Sequence, residues 1–157
     1  MKILKFTFTC AMTMTNADTV KLLRECDAGS KMAVSAIDEV LDKAQDSKRN
    51  NLLTKSKQNH TKLGNEVYSL LKQHGSDDKD PNPMAKSMSW LKTDWKMGVD
   101  ESDAAIADLM TDGCNMGVKS LNKYLNPHPA ADDKSKNICK QLIAIEEQLG
   151  ESLRNYL

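Results

Sequence analysis

The feature of this sequence that most constrains its fold is a repeat of apolar and small residues at alternating steps of three and four. The first such stripe consists of Val20, Leu23, Asp27, Ser30, Val34, Ile37 and Leu41. This spacing places side chains on one face of an α-helix. It therefore predicts a helix over about residues 17–46, with Asn16 or Asp18 as the N-cap.

A second stripe of the same period follows after a short break at Asp46-Ser47, which also supplies a new N-cap. Its members are Leu52, Ser56, His60, Leu63, Val67, Leu70 and His74. Gly75 comes next and is a natural residue to end a helix. We expect a second helix over about residues 48–74, antiparallel to the first because the connection is so short.

The segment GSDDKDPNP, residues 75–83, is the strongest break in the chain. Beyond it the pattern predicts a short helix over about 84–97, and longer helices over 101–125 and 132–157. One continuous helix over 84–125 would be about 63 Å long, which no other element matches. The expected fold is therefore all-α: a four-helix bundle of two antiparallel hairpins, with a short crossover helix between helices two and three.

Charge and apolar runs exclude several partners. The 22 basic residues balance the 22 acidic ones, so there is no positive surplus for nucleic acid. No run of 18 apolar residues exists, so we expect no membrane span. The chain also lacks the glycine-rich signatures of nucleotide binding and the Gly-x-Ser-x-Gly of serine hydrolases.

The N-terminal residues and the cysteines bear on location. Residues 1–15 imitate a signal peptide, but threonines interrupt their apolar core, so we expect a frayed or disordered tail before a bundle domain at 16–157. The four cysteines lack the close paired spacing of zinc knuckles or redox motifs; they are Cys10, Cys26, Cys114 and Cys139. This usage is typical of reduced thiols in a cytoplasmic protein.

A weak internal repeat links the first and third long helices. Shifting the chain by 84 residues lays residues 28–41 over residues 112–125. Gly29 then matches Gly113, Met32 matches Met116, and Val34 matches Val118. A helical hairpin used twice explains this match.

With this arrangement the chain resembles the ferritin-like superfamily, and most of all small bacterial ferritin-like proteins of unknown function related to stress-induced members. The resemblance covers about residues 17–157. It is carried by Leu22-Leu23 through Gly29, Trp90-Leu91-Lys92, Asp112-Gly113-Cys114 with Lys119 and Tyr124, and Glu146-Glu147-Gln148-Leu149. The gap lengths between these segments matter more than any one of them.

The resemblance implies a di-metal site with a Glu on helices one and three and a Glu-x-x-His on helices two and four. This chain departs from that set on the first and third helices. After Gly29 and Gly113, where related sequences tend to show Glu, it has Ser30 and Cys114.

The other two helices depart from the set as well. The spacing that ends at His60 begins with Lys57, and Ile143 stands three residues before Glu146. Too few carboxylates remain for a standard diiron centre, so we expect a degenerate site and no cofactor.

Two interpretations of the remaining polar side chains stay open. In one, His60, Cys114 and Glu146 hold a single iron or zinc ion or an altered dinuclear centre, with Ser30 and Asp27 nearby. In the other, His60 is a core histidine bonded to Ser30 or a backbone carbonyl, and Cys114 is a buried small residue. Glu146 would then point to solvent, and a lysine or a partly exposed helix end would satisfy Asp27.

Two functions follow from these interpretations. The first is a non-enzymatic bundle that acts by self-association, as a homodimer, or by binding another protein. The second is a metal-binding stress protein that handles iron or peroxide. The tryptophan-containing segment around Trp90 and Trp95 is a candidate contact surface, although core packing explains it better.

Overall fold

The computed structural model describes the backbone of residues 2–43, 45–76 and 102–157, and the side chains of these ranges from residue 17 onward. Every regular element in these ranges is helical, so the all-α class is confirmed. Four α-helices occur there: α1 Lys2–Leu41, α2 Ser47–Gln73, α3 Asp103–Leu125 and α4 Asp133–Leu153. A 3-10 turn at Arg154–Tyr156 follows α4.

The first helix differs from the prediction at both ends. It begins at Lys2, so Asn16 and Asp18 lie inside it and do not cap its start. It ends at Leu41, the last residue of its apolar stripe, and not near residue 46. Asp46 cannot belong to α1, because it adopts an extended conformation and caps α2.

The second helix begins and ends where its capping residues predict. The side chain of Asp46 accepts a hydrogen bond from the backbone N–H of Arg49 at 2.7 Å. At the other end Gly75 has a φ of 67°, a left-handed conformation that glycine adopts without strain. The N–H of Gly75 donates to the carbonyl of Lys72 at 3.0 Å and so satisfies one free carbonyl of the last turn.

The third and fourth helices are each capped by a side chain one residue before their first turn. Ser102 caps α3, so the helix begins two residues later than the predicted start at 101. Asp132 caps α4 by accepting from the N–H of Ser135 at 2.7 Å. The predicted crossover helix at 84–97 lies outside the described residues.

The helices differ in how many of the other helices they contact. α1 contacts all three of the others, and α4 also contacts α2 and α3. Within the described ranges the backbones of α2 and α3 do not approach each other closely. α1 and α4 therefore form the inner pair of the bundle, with α2 and α3 on either side of them.

The interior is divided into two apolar clusters. One contains Leu22, Leu23, Cys26, Leu63, Val67, Leu70, Leu71, Leu121, Ala131, Ile138, Cys139, Leu142 and Ile143. The other contains Ile37, Val40, Leu53, Ile106, Met110, Cys114, Leu149 and Leu153. Along the helices Ser30, His60 and Glu146 fall between the two clusters, and we call these three buried side chains the polar layer. Each fully buried leucine or isoleucine around this layer contributes about 1.5–3 kcal/mol to folding.

An ion pair fixes the start of α2 against the start of α3. The guanidinium group of Arg49, which is fully buried, contacts the carboxylate of Asp103 and donates to its carbonyl oxygen at 2.8 Å. This contact holds the two helix N-termini near each other although the helices themselves do not pack together. None of the described helices has a stretch long and apolar enough to cross a bilayer.

Candidate functional site

A histidine and a glutamate meet in the centre of the polar layer. Nε2 of His60 on α2 lies 3.2 Å from Oε1 of Glu146 on α4. The His60 side chain is 1% exposed and the Glu146 residue 8% exposed, so both groups are largely removed from water. A buried polar group of this kind is costly unless it is paired, and here each side chain supplies the partner of the other.

The hydrogen bonds of His60 fix how the pair shares protons. Its Nδ1 lies 2.9 Å from the carbonyl oxygen of Ser56, which can only accept, so Nδ1 carries a hydrogen. Nε2 then bonds to Glu146 either as the donor of a protonated ring or as the acceptor from a protonated carboxyl. In both states one proton lies between Nε2 and Oε1, and the pair as a whole is neutral.

Cys114 on α3 is the third member of the site. Burial raises the pKa of its thiol, and the nearby Glu146 carboxylate raises it further through its charge and by accepting a hydrogen bond from the thiol. Cys114 is only 3% exposed. The thiol therefore stays protonated at neutral pH, which makes it a weak nucleophile.

Three glycines allow the helices to pack closely around the site. A Cβ atom on Gly117 of α3 would lie 3.1 Å from Oε1 of Glu146, and one on Gly64 of α2 would lie 2.9 Å from Oγ of Ser30. A Cβ on Gly150 of α4 would lie 3.2 Å from that of Cys114. A larger residue at any of these positions would press on a neighbouring side chain, so the helices lie close together around the polar layer.

An apolar cleft of about 450 Å³ opens between α1 and α3, and Glu146 and Cys114 line it. We call it the α1–α3 cleft. Its other walls are mostly small or apolar residues, among them Ala28, Gly29, Met32, Ala33, Ala36, Met110, Gly113, Met116 and Gly117. From Glu25 to Ile37 the cleft follows α1 for about 18 Å. This volume is in the range of ordinary binding pockets.

The weak internal repeat has a spatial counterpart in this cleft. Gly29 and Met32 line it from α1, and their counterparts Gly113 and Met116 line it from α3. Met116 is 50% exposed, which is unusual for a large apolar side chain. The two matched segments thus form facing walls of one surface feature.

A second, more polar groove of about 440 Å³ lies between α1 and α2, and we call it the α1–α2 groove. Asp27, Ser30 and His60 line it. The carboxylate of Asp27 pairs with Lys31 at 2.7 Å, which is the lysine partner that the sequence predicted. Ser30 donates to the carbonyl oxygen of Asp27 at 3.0 Å. Asp27 and Ser30 therefore each have a hydrogen-bond or ion-pair partner on α1 itself.

The structure brings together three of the five predicted site residues. His60, Glu146 and Cys114 form one connected set, whereas Asp27 and Ser30 satisfy each other and Lys31. The alternative in which Glu146 points to solvent is wrong, because its carboxylate is buried against His60. The alternative in which His60 donates to a backbone carbonyl is confirmed at Ser56.

The donor set does not fit the dinuclear centre that the ferritin-like resemblance implies, since Ser30, Lys57 and Ile143 occupy positions where that resemblance would place carboxylates. In the described part of the chain, no three His, Cys, Asp or Glu side chains converge as a metal-binding group. A mononuclear site at His60, Cys114 and Glu146 stays a prediction.

Sequence reasoning missed the features that shape the site. It did not single out Gly64, Gly117 or Gly150, although a glycine inside a helical stripe is a signal of close packing. It also did not identify the α1–α3 cleft, because a cleft depends on how far apart two helices lie, and a stripe does not record that distance.

Comparison with known proteins adds no relative. No family model, curated protein or solved structure matches this chain. Its function is therefore inferred from the geometry described above.

Proposed function

We propose that this chain is a non-enzymatic, ferritin-like helical bundle that acts by self-association, and that the α1–α3 cleft with Met116 beside it is the contact surface. In this proposal two copies meet through the same face in a symmetric dimer. The observation that carries it is the half-exposed Met116 at the edge of a cleft large enough to receive it.

The order of contacts along the chain supports two antiparallel hairpins. Arg24 near the middle of α1 bonds to Ser76, just beyond the end of α2, whereas Asp38 near the end of α1 pairs with Lys57 within α2, so the two helices run in opposite directions. On α3 and α4, Gly117 lies near Glu146 and Cys114 near Gly150, again in opposite order. Two such hairpins with a long connection between them are the arrangement of a ferritin-like bundle.

The bonding of the buried polar groups favours a role without catalysis. Both ring nitrogens of His60 are engaged, one by the Ser56 carbonyl and one by Glu146. The Cys114 thiol is held protonated by the rise in its pKa. A general base or nucleophile needs a free lone pair directed at a substrate. The polar atoms of His60, Glu146 and Cys114 are instead engaged in hydrogen bonds inside the protein.

A symmetric dimer requires a surface that is complementary to itself. The α1–α3 cleft suits this requirement, because small and apolar side chains line most of it and the half-exposed Met116 lies among them. The zero net charge of the chain adds no long-range repulsion between two copies. Burying the exposed half of the Met116 side chain in such a cleft contributes about 1 kcal/mol per copy.

Sedimentation equilibrium over a range of concentrations tests the proposal. We expect a reversible dimer of twice the 17.5 kDa chain mass. Met116→Glu should weaken dimerisation at least tenfold, because it brings a charge into an apolar contact. Tyr68→Glu is the matched control, since Tyr68 is similarly exposed, at 44%, but lies on α2 away from the cleft. A wild-type chain that stays monomeric throughout, or equal effects of both substitutions, would contradict the proposal.

The alternative function is a metal-binding stress protein with iron or zinc held by His60, Cys114 and Glu146. The observation in its favour is that these three side chains form one connected set. A metal would have to replace the direct bond between His60 and Glu146 and remove the thiol proton. Titration with Co²⁺ distinguishes the two functions, because a bound thiolate gives an intense ultraviolet charge-transfer band. Under the alternative this band appears in the wild type and is lost in Cys114→Ser.

A further inference from the structure

The α1–α3 cleft has acidic side chains in its walls and no basic ones. Among the described residues that line it, Glu25 and Glu146 are carboxylates, and none is a lysine, arginine or histidine. Most of the other lining residues are small or apolar. A cleft of this composition favours an apolar molecule and selects against one that carries a negative charge.

The two carboxylates differ in what they contact. Oε1 of Glu146 lies 3.2 Å from Nε2 of His60, and that pair is neutral as a whole. The side chain of Glu25 makes no hydrogen bond or ion pair with any other residue that the structure describes. Burial raises the pKa of Glu25, and the charge of the nearby His128 opposes this rise only in part. Glu25 therefore supplies the net charge of the cleft, and a positive group beside it would offset the cost of its burial.

The directions of the helices place Glu25 at one end of the cleft. A Cβ atom on Gly29 of α1 would lie 3.7 Å from Cδ2 of Leu121, near the end of α3. Further along α1, Ile37 belongs to the same apolar cluster as Ile106, near the start of α3. Glu25 precedes Gly29 by about one helical turn, so it lies at the end of the cleft that the last turns of α3 form.

The two ends of the cleft differ in polarity. Tyr124 lines the cleft about one turn beyond Leu121 and so lies at the same end as Glu25. Aromatic rings attract ammonium groups, so this end combines two features that bind a cation. The other end is lined by Ile37, Met110 and Leu149, which are all apolar.

We propose that the α1–α3 cleft binds a linear alkylammonium ion, with the positively charged head at Glu25 and the apolar chain along the cleft. The cleft follows α1 for about 18 Å and has a volume of about 450 Å³, which is enough for an extended dodecyl chain. Burial of this chain against apolar walls supplies most of the affinity. The ion pair with Glu25 determines which sign of charge is preferred.

A fatty acid of the same length is the natural comparison. Its chain would bury the same apolar area, but its carboxylate would bring a second negative charge beside Glu25. No basic side chain among the described walls of the cleft could pair with it. We therefore expect the cleft to prefer the cation to the anion.

The bound ion would occupy the space that receives Met116 of a second copy in the dimer. This part of the inference rests on the proposed function. It predicts that an alkylammonium ion competes with self-association and converts the dimer to monomers.

Isothermal titration calorimetry of the full chain at neutral pH tests the binding. The probes are dodecyltrimethylammonium and dodecanoate, each below its micellar concentration, and circular dichroism follows the helix content. We expect one dodecyltrimethylammonium to bind per chain, about tenfold more tightly than dodecanoate, with the helices intact. Equal affinities for the two probes, no saturable binding of the cation, or binding only with loss of helix would overturn the proposal.

Three variants test where the cation binds. Glu25→Gln should weaken its binding about fivefold, because the charge that pairs with the head group is removed. Glu39→Gln is the matched control and should bind as the wild type does, since Glu39 is an exposed acid on α1 outside the cleft. Ala33→Phe places a larger side chain in the wall of the cleft and should weaken binding of both probes. Equal effects of the two glutamine substitutions, or unchanged binding in Ala33→Phe, would contradict this location.

Sedimentation equilibrium with and without the cation separates this inference from the proposed function. A wild-type dimer should shift to the 17.5 kDa monomer when dodecyltrimethylammonium is saturating. A chain that is monomeric without the probe, but binds it as expected, would contradict the dimer and support the binding site. A dimer that binds the probe and stays dimeric would overturn the competition.

Discussion

His60 on α2 and Glu146 on α4 face each other at 3.2 Å, at the level where the two apolar clusters separate. The pair occupies the part of the bundle where the ferritin-like resemblance implies metal ligands. Its nitrogen and oxygen atoms bond directly to each other. The buried groups of the polar layer can therefore be satisfied without an ion.

Replacing both members of the pair should cost less than the sum of the two single replacements. His60→Leu and Glu146→Leu should each destabilise the chain by about 3 kcal/mol, because each leaves the other group buried without its partner. The double substitution should cost less than the sum by about 1–3 kcal/mol. Urea unfolding of the four proteins measures this coupling. Strictly additive losses would show that the two side chains do not interact.

Gly117→Ala should destabilise the bundle by about 1–3 kcal/mol, since its Cβ would press against the Glu146 carboxylate at 3.1 Å. Gly29→Ala is the matched control on the facing wall of the cleft. Its Cβ would meet Leu121 at 3.7 Å, an ordinary contact, so the gain in helix propensity should stabilise the chain by about 0.5–1 kcal/mol. Thermal melting compares the two, and the same sign for both changes would count against the close approach of Gly117 to Glu146.

Stability should fall at alkaline pH, and Cys114 should account for part of the fall. Burial, with the nearby Glu146, raises the pKa of its thiol in the folded chain above the unfolded value of about 8.5. The folded state then holds the proton more tightly, so this stabilisation is complete below the unfolded pKa and decreases as pH rises above it.

Comparison of the wild type with Cys114→Ala between pH 8.5 and 10 measures this share. The slope of unfolding free energy against pH should be less steep in the variant by up to about 1.4 kcal/mol per pH unit. Parallel slopes would mean that Cys114 is not protected as the structure requires.

The start of α2 should depend on a single carboxylate. Asp46→Ala removes the acceptor of the Arg49 backbone N–H and should cost about 1 kcal/mol. Asp38→Ala is the control, because it removes only an exposed ion pair with Lys57, which contributes less than about 1 kcal/mol. Urea denaturation midpoints distinguish the two, and an equal loss in both variants would argue that Asp46 has no capping role.

The sequence was most informative about the helices and least about their ends. The stripes predicted the all-α class, and the residues that cap α2 lie where Asp46 and Gly75 indicated. The start of α1 was missed because Asn16 and Asp18 resemble caps, yet polar residues inside a helix cost only a few tenths of a kcal/mol. Local propensity therefore could not decide whether the helix began there or continued.

The site was predicted in part, for a different reason. Helical spacing was enough to place His60 and Ser30 on inward faces, but Glu146 lies beside the stripe of its helix and could have faced either way. Its direction depends on Gly117, a residue of another helix that leaves room for the carboxylate. Spacing within one helix carries no information about such contacts.

We propose that the hydrogen-bonded His60 and Glu146 satisfy each other in the polar layer without a metal ion. The most direct test is elemental analysis of the wild-type chain and His60→Ala, purified without chelators from cells grown with added iron and zinc. The account predicts far less than one equivalent of any transition metal per chain, with no difference between the two proteins. One or more equivalents in the wild type, lost in His60→Ala, would contradict it.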